Sequence, residues 1–559
     1  MNQLKYVLFV VIILAIPICY PFQVESVSKD ENFRSEESSF NGQILYSPMW
    51  STTTYLIDRI GIVNNTWYSN YFPGVSVWWI GNGTILRTIR LSGAPGGGGG
   101  VQKIAWDGTV LWDYRYNSNG VLSHHDVKSL PNGNVLLIAW GHKTRTEAIN
   151  AGRNPQHVDN SGLSPDHIIE VKPTGPTTGN IVWEWHMWDH LVQDYDSSKA
   201  NYGVVKDEPG LVDINYGDTL QADIMHTNSI DYNEELDQIL LSVCYFNEIW
   251  VIDHSTTTLE AKGHTGGNSG HGGDLLYRWG NPSAYDEGTY DSQKLFMQHD
   301  ATWIDKGYPG EGDILVFNNG INHHSSVDEI TPPIDENGNY IIEEDTPYGP
   351  TETTWSYSAD GFYVGQFGGA VRLVSGNTLI TNGETGLLFE VTPDKETVWQ
   401  YDTNGQLFKA VYIPPENNQT EPFLDCEGSF HWIKVNGGTT LNDDFIVKNI
   451  GDNDSFLNWK IISYPNWGTW TFNPESGENL RPKDGDMHIQ ISVVTPNETN
   501  KVFKGSIKIV NQDDFNNYDV IPVYLKTPRQ RTIDLPFFNF FRNYPNLITL
   551  LQKLLQRLG

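Results

Sequence analysis

From about residue 44 to 415 the chain alternates short apolar runs with polar or glycine-rich turns, at variable spacing. Runs of four to six apolar or alternating residues, separated by turns, are the pattern of strand hairpins and not of helices. The clearest recurring mark is an apolar strand, a turn, and a closing strand that carries Trp. It recurs at 77–80 with 84–86, 102–106 with 110–114, 168–171 with 181–185, 249–253 with 275–279, 326–330 with 354–357, and 388–391 with 398–401. Each pair predicts the outer hairpin of a four-stranded sheet. Segments beginning at His124, His226, Met297 and Gly368 predict the inner two strands. Radial repetition of such sheets is a β-propeller. Five units run from about 75 to 402, and the strand 407–412 then lacks outer partners. Residues 54–58 and 61–63, with Trp67, supply them, so the two ends share one blade and no sheet edge is left open. The expectation is six blades, with seven as the alternative count.

After Pro415 the pattern changes. Alternating strands at 429–432, 445–449, 457–462, 468–472, 488–493, 503–509 and 520–525 predict an immunoglobulin-like sandwich. Beyond it, Leu547, Leu550, Leu551, Leu554, Leu555 and Leu558 share one face of a helix, with Lys553 and Arg557 beside them. Such a stripe docks on its own domain or serves as a surface-retention element. The predicted class is therefore all-β: a six-bladed propeller over 44–418, an immunoglobulin-like β-sandwich over 419–528, and an amphipathic tail over 529–559. Residues 1–23 read as a signal peptide or anchor and 24–43 as a linker.

Composition narrows the setting. At 559 residues the chain exceeds one ordinary core. A net charge of −32 excludes nucleic acid as a partner and disfavours general adhesion to anionic lipid. The apolar run from Tyr6 to Cys19 follows Lys5 and suits an export signal better than a bilayer span. The chain is expected to be secreted or held at the cell surface, with membrane attachment through either end left open. If Cys19 leaves with the signal, Cys244 and Cys426 remain, in different predicted domains, so no disulfide framework is expected. Asn-x-Ser/Thr triplets at Asn64, Asn82, Asn418, Asn453 and Asn497 fit an exported glycoprotein.

The chemistry concentrates in three polar strands at matched positions of the repeat. These are Ser123-His124-His125-Asp126, His226-Thr227-Asn228-Ser229 and Gln298-His299-Asp300. A single strand histidine usually packs. Three at equivalent blade positions predict imidazoles meeting in a central funnel. Zinc held by several of them is conceivable, but no His-x-x-x-His helix or cysteine pair supports it, so no metal is expected. Gly263 to Gly273, with His264 and His271, reads as a solvated insertion or a lid.

Over roughly 55–415 the chain resembles the PAPS-independent aryl-sulfate sulfotransferases. The resemblance rests on His124-His125-Asp126 with Pro131-Asn132-Gly133-Asn134, on His226-x-Asn228-Ser229-Ile230-Asp231-Tyr232, and on Gln298-His299-Asp300. Gly369-Ala370-Val371-Arg372-Leu373, with Gly376-Asn377-Thr378, adds to it. It implies a six-bladed propeller in which His299 accepts the sulfuryl group. His226 would be a second catalytic imidazole, and either His124 or His125 a third. The chemistry is sound on its own terms. A neutral imidazole can attack sulfur and split one hard transfer into two. A second imidazole can protonate the leaving oxygen and deprotonate the incoming phenol. Donors such as Asn228 or an imidazolium must hold the sulfuryl oxygens, and Asp126, Asp300 and His323 are further expected substrate contacts. Partners would be a small aryl sulfate and a phenol, with no cofactor. One departure stands out: family members carry an arginine eighteen residues after the second histidine, where this chain has Cys244. Lys143, Arg145 and Arg153, after the strand containing Trp140, are the candidates to replace that cation from another blade. The rival reading is a non-catalytic exported propeller binding an anionic or carbohydrate ligand, or a surface interaction protein.

Overall fold

The computed structural model describes residues 42–528 apart from 95–96, 218, 336–337, 344–345, 415–421, 452–454 and 516. The expected signal, most of the linker and the C-terminal stripe lie outside the described residues. The chain divides into two compact units between Pro415 and Glu416.

The first unit is all-β and builds six four-stranded antiparallel blades, the second and third of which are joined into one eight-stranded sheet by a parallel bridge between Val75 and His125. Blade I takes Ala410–Ile413 as its innermost strand, then Gln43–Tyr46, Thr53–Asp58 and Val63–Tyr68. Blade II is Pro73–Trp79, Ile85–Arg90, Gly99–Ile104 and Val110–Arg115. Blade III is Leu122–Ser129, Val135–Trp140, Asp166–Gly175 and Thr178–His186. Blade IV is Thr227–Asn233, Gln238–Val243, Glu248–Asp253 and Tyr277–Trp279. Blade V is His299–Trp303, Ile314–Asn318, Ser326–Ile330 and Trp355–Tyr357. Blade VI is Gly369–Arg372, Thr378–Asn382, Leu387–Val391 and Thr397–Asp402. Each innermost strand touches the next, from II through VI to I and back to II, so the ring is closed. The two ends of the propeller meet where Gln43–Tyr46 pairs with Ala410–Ile413.

The recurring Trp has a structural cause. In every blade an outermost-strand indole donates to an acceptor on the segment next around the ring. Trp67 reaches the Ala105 carbonyl at 2.9 Å, and Trp112 that of Thr178 at 3.0 Å. Trp183 reaches Thr256 Oγ1 at 3.1 Å, and Trp279 the Pro350 carbonyl at 2.8 Å. Trp355 reaches Pro393 at 2.9 Å and Trp399 reaches Arg59 at 2.7 Å. The pair 77–80 with 84–86, expected as an outer hairpin, is instead the inner half of blade II. Its closing strand lacks the Trp that marks a fourth strand elsewhere.

The axis is closed by charge. Lys409 Nζ lies 2.9 Å from Asp126 Oδ2 and 2.8 Å from Asp300 Oδ1, all three side chains buried. The ammonium also sits 3.9 Å above the Trp78 ring. Burial works against the Lys409 charge, but the two carboxylates outweigh it and hold its pKa above the ordinary lysine value.

The second unit has a four-stranded and a five-stranded sheet. Phe430, Phe445, Trp459, Ile489, Ile509 and Val523 from both sheets share one core. Among the described residues no helix is long and apolar enough to cross a membrane.

Removing the central cation should expose the cost of the two carboxylates it neutralises. Lys409→Met is expected to lower stability by about 3–5 kcal/mol, read as a shift in the urea midpoint. The triple change Asp126→Asn, Lys409→Met and Asp300→Asn should recover part of that loss, because no uncompensated charge remains.

Candidate active site

The histidine strands are the innermost strands of blades III and V and the entrance to that of blade IV. All three carry irregularities that re-aim a side chain. The ladder of blade III shifts register between Ser123 and Val127, and that of blade V between His299 and Thr302. In blade IV the shift lies between Thr227 and Ser229. His125, His226 and Asp300 have φ of 53°, 52° and 50°, a region disfavoured for residues with a Cβ. A left-handed residue thus lies at His125, at His226 and directly after His299.

The result is a compact imidazole cluster. The ring centroids of His125 and His226 lie 4.6 Å apart. His299 is 6% exposed, and its pKa is lowered to about 4, first by burial and then by the nearby His226 against the pull of Asn319. Burial, followed by His226, His124 and His299, pushes His125 well below the ordinary histidine value. Both rings are neutral at physiological pH.

The hydrogen bonds fix the tautomers. His299 Nδ1 faces only acceptors, the Asn319 side-chain oxygen at 2.7 Å and the Met297 carbonyl at 3.0 Å, so Nδ1 carries the proton. Its Nε2 is left with a lone pair. His226 Nδ1 donates to Asp223 Oδ2 at 2.6 Å. Burial works against the Asp223 charge, but the hydrogen bond from His226 outweighs it, and the carboxyl stays below its usual range. His124 Nε2 donates to Asp166 Oδ1 at 3.1 Å, which leaves His124 Nδ1 to accept from His125 Nδ1 at 2.8 Å. Among the described residues, Nε2 of His125, His226 and His299 has no hydrogen-bond partner. Both nitrogens of His124 are engaged, and its ring stacks on Trp140 at 3.9 Å. Part-exposed aromatic rings stand around the cluster: Tyr245 stacks on His226 at 4.8 Å, and Phe367 lies 6.1 Å from His299.

The other expected site residues fall elsewhere. Asn228 is fully buried and donates to the Gln298 carbonyl at 2.7 Å. Asp126 and Asp300 are buried on Lys409. His323 is exposed on a loop beside Tyr363, with ring centroids 4.8 Å apart. Cys244 is buried, its thiol pushed up to about 12 by burial and by Asp223, with its sulfur 4.0 Å from that of Met297. None of the candidate substitute cations joins the imidazoles. Arg153 donates to the carbonyls of His157, Ile214 and Thr219. Arg145 donates to those of Val158 and Pro155. Lys143 sits over Trp188 at 5.1 Å. Sequence reasoning missed Asp166, Asp223, Asn319 and Lys409. Asp223 had a legible signal, an acid three residues before the histidine it caps. Asn319 and Lys409 had none, because their partners are 20 and 109 residues away.

A family model described as Arylsulfotransferase (ASST) matches residues 44–420. The chain belongs to the arylsulfotransferase family. Membership supports a sulfotransferase and implies a small aryl sulfate and a phenol as substrates. No curated protein matches the chain. Among solved structures, it is 14% identical to a protein of unknown function from Bacteroides caccae, covering 67% of this chain and 99% of that one, with a TM-score of 0.38. A streptogramin B lyase is 11% identical over 67% of this chain and 87% of its own, with a TM-score of 0.34. With TM-scores this low, neither likeness carries weight for fold or function.

The depressed pKa of His299 makes a stability statement. An unfolded histidine titrates near 6.5, and the folded one near 4, so the fold favours the neutral ring. That contribution is complete above about pH 6.5 and is lost as pH falls through about 4, up to roughly 3 kcal/mol. Melting temperature should fall over this window, and fall less in His299→Gln. His125 shifts in the same direction and should leave a residual slope.

Proposed function

We propose that this arylsulfotransferase moves a sulfuryl group from an aryl sulfate to a phenol through a sulfohistidine on His299. The observation that carries the reading is the unbonded Nε2 of a buried, neutral His299, whose opposite nitrogen is pinned by Asn319 and Met297. In the first half-reaction Nε2 forms the N–S bond while the S–O(aryl) bond breaks. His226, protonated at Nε2 and paired through Nδ1 with Asp223, gives its proton to the departing phenolate. In the second half, neutral His226 takes the acceptor phenol's proton, the new oxygen attacks sulfur, and the N–S bond breaks. His299 and the protonated His226 are thereby restored. General acid–base help of this kind is worth about 10²–10⁴-fold.

His125 is the third imidazole facing the sulfuryl group, and His124 with Asp166 positions it. Asp126 and Asp300 act through Lys409 on the frame and do not touch substrate. Asn228 supports the Gln298 backbone. Tyr245, Phe367 and Trp140 offer apolar faces for an aryl ring. Export is the setting we favour, supported by the apolar run near the N-terminus.

The decisive experiment is intact-mass analysis after mixing with a chromogenic aryl sulfate. The wild type should gain the mass of one sulfuryl group, lose it on addition of a phenol, and release the chromophore. His299→Asn should show neither gain nor release. His226→Asn should slow both half-reactions by about 10²-fold or more. No mass gain and no release across several aryl sulfates would sink the reading. It would favour an anion-binding propeller, a reading to which the buried Cys244 thiol lends some support.

A further inference from the structure

Away from the funnel, on the outer half of blade IV, two imidazoles and a carboxylate converge. His190 follows blade III, and His264 and Asp274 bracket the glycine-rich insertion between the third and fourth strands of blade IV. His190 Nδ1 and His264 Nδ1 each lie 2.8 Å from the same atom, Asp274 Oδ1. All three donor atoms fall within 4.8 Å of one another, and no other such group of His, Cys, Asp or Glu occurs among the described residues.

The donor count is what makes this cluster unusual. His190 is fully buried, and its Nε2 lies 2.8 Å from the Ala261 carbonyl, which can only accept. Nε2 therefore carries a proton. In the neutral ring Nδ1 then points a lone pair at a carboxylate oxygen. His264 Nδ1 points at that same oxygen. Positive charge must sit between these atoms, as extra protons or as a cation. The loop is built to hold the arrangement. A Cβ on Gly273 would lie 2.0 Å from the Ala261 oxygen and 2.6 Å from His190 Nε2, so only glycine fits there. Trp185 stacks parallel to the His190 ring and donates to the Gly273 carbonyl at 2.7 Å.

The geometry points to a zinc-class divalent cation bound by His190 Nδ1, His264 Nδ1 and Asp274 Oδ1. Two imidazoles and one carboxylate are a donor set for tetrahedral zinc, whose ligand atoms stand about 3.3 Å apart. Opening both 2.8 Å spacings by roughly half an ångström needs a shift of the Asp274 carboxylate away from the buried His190 and a matching shift of His264, whose side chain is 59% exposed. The Nε2–H of His190 on a backbone carbonyl is the outer hydrogen bond that zinc-bound histidines commonly make. His264 also lines a pocket of about 550 Å³ with Trp188, Asp189, Tyr202, Glu208 and Leu211. Solvent therefore reaches the cluster on the His264 side. The ion would clamp the insertion to the propeller, in place of the solvated loop or lid that its composition suggests.

The test uses the full chain, stripped with chelator and then titrated with zinc. One zinc per chain should be retained after dialysis, with a rise in melting temperature. His264→Ala and Asp274→Asn should each weaken zinc binding by at least about tenfold. Cobalt(II) should give a visible tetrahedral absorption band in the wild type and not in His264→Ala. His299→Asn should bind zinc as the wild type does. No retained zinc, equal affinity in His264→Ala, or loss of the ion in His299→Asn would each overturn the assignment. The first would leave a protonated His–Asp cluster, and the last would place the ion in the funnel.

Discussion

The propeller depends on a buried ammonium at its axis. Lys409 comes from the segment entering the innermost strand of blade I, Asp126 from blade III and Asp300 from blade V. Blade II contributes Trp78, whose indole lies beneath the ammonium and donates to Asp126 Oδ1 at 2.9 Å. Blade IV contributes the Ile230 amide, which donates to Asp126 Oδ2 at 3.3 Å. Blade VI contributes Gly369, where a Cβ would stand 2.2 Å from Asp300 Oδ2. Every blade therefore has a stake in one charge cluster. Buried ion pairs are poor sources of net stability. Their value here is geometric, because a carboxylate that leaves this cluster loses the cation it is paired with. The indole bonds around the rim fix each blade to the next, and the lysine fixes alternate blades across the ring.

That rigidity is what the histidines need. His125 immediately precedes Asp126, and His299 immediately precedes Asp300. The residues that hold the frame are thus chain neighbours of those that face the funnel. A strand that bulges to aim an imidazole inward pays about 1–3 kcal/mol for a left-handed residue, and it stays bulged only if its neighbours are pinned. Lys409 pins both acids. The same logic reaches blade IV, where the Thr227 amide donates to Asp166 Oδ2 at 2.8 Å. Asp166 therefore orients His124 and at the same time anchors the strand that follows His226.

The repeat was legible because propeller strands alternate with turns and because Trp recurs at a position with a job, reaching the next blade. Blade II was misread at 77–86 because Trp78 and Trp79 sit on an inner strand, where Trp78 serves the lysine and not the rim. The histidines were legible because equivalent positions in a radial repeat must meet. Asp126 and Asp300 were not assigned to the frame, because an acid beside a funnel histidine has the same sequence appearance whether it faces substrate or the axis. Which of His124 and His125 faces inward was decided only by coordinates, through one backbone angle and one carboxylate from another strand. His190, His264 and Asp274 were invisible as a set, since 84 residues separate the first from the last.

For the proposed transfer, Cys244, at the position where the resemblance implies an arginine, is the sharpest chemical constraint. With Cys244 buried and protonated, and with Arg145 and Arg153 committed to backbone carbonyls, the two ammonium groups over Trp78 are also engaged, Lys409 by Asp126 and Asp300 and Lys128 by Asp231. In the proposed transfer, charge that develops on the sulfuryl oxygens would then be met by protons on imidazoles. The wiring of the cluster suits that task. A proton arriving at His125 Nε2 lets the shared Nδ1 proton pass to His124, whose charge Asp166 holds, and leaves His125 with a proton on Nε2, aimed at the funnel. A site of this kind makes its cation when substrate charge appears, where an arginine would carry it permanently. Its electrostatics are therefore set by Asp166 and Asp223, two carboxylates that themselves need never touch the reacting group.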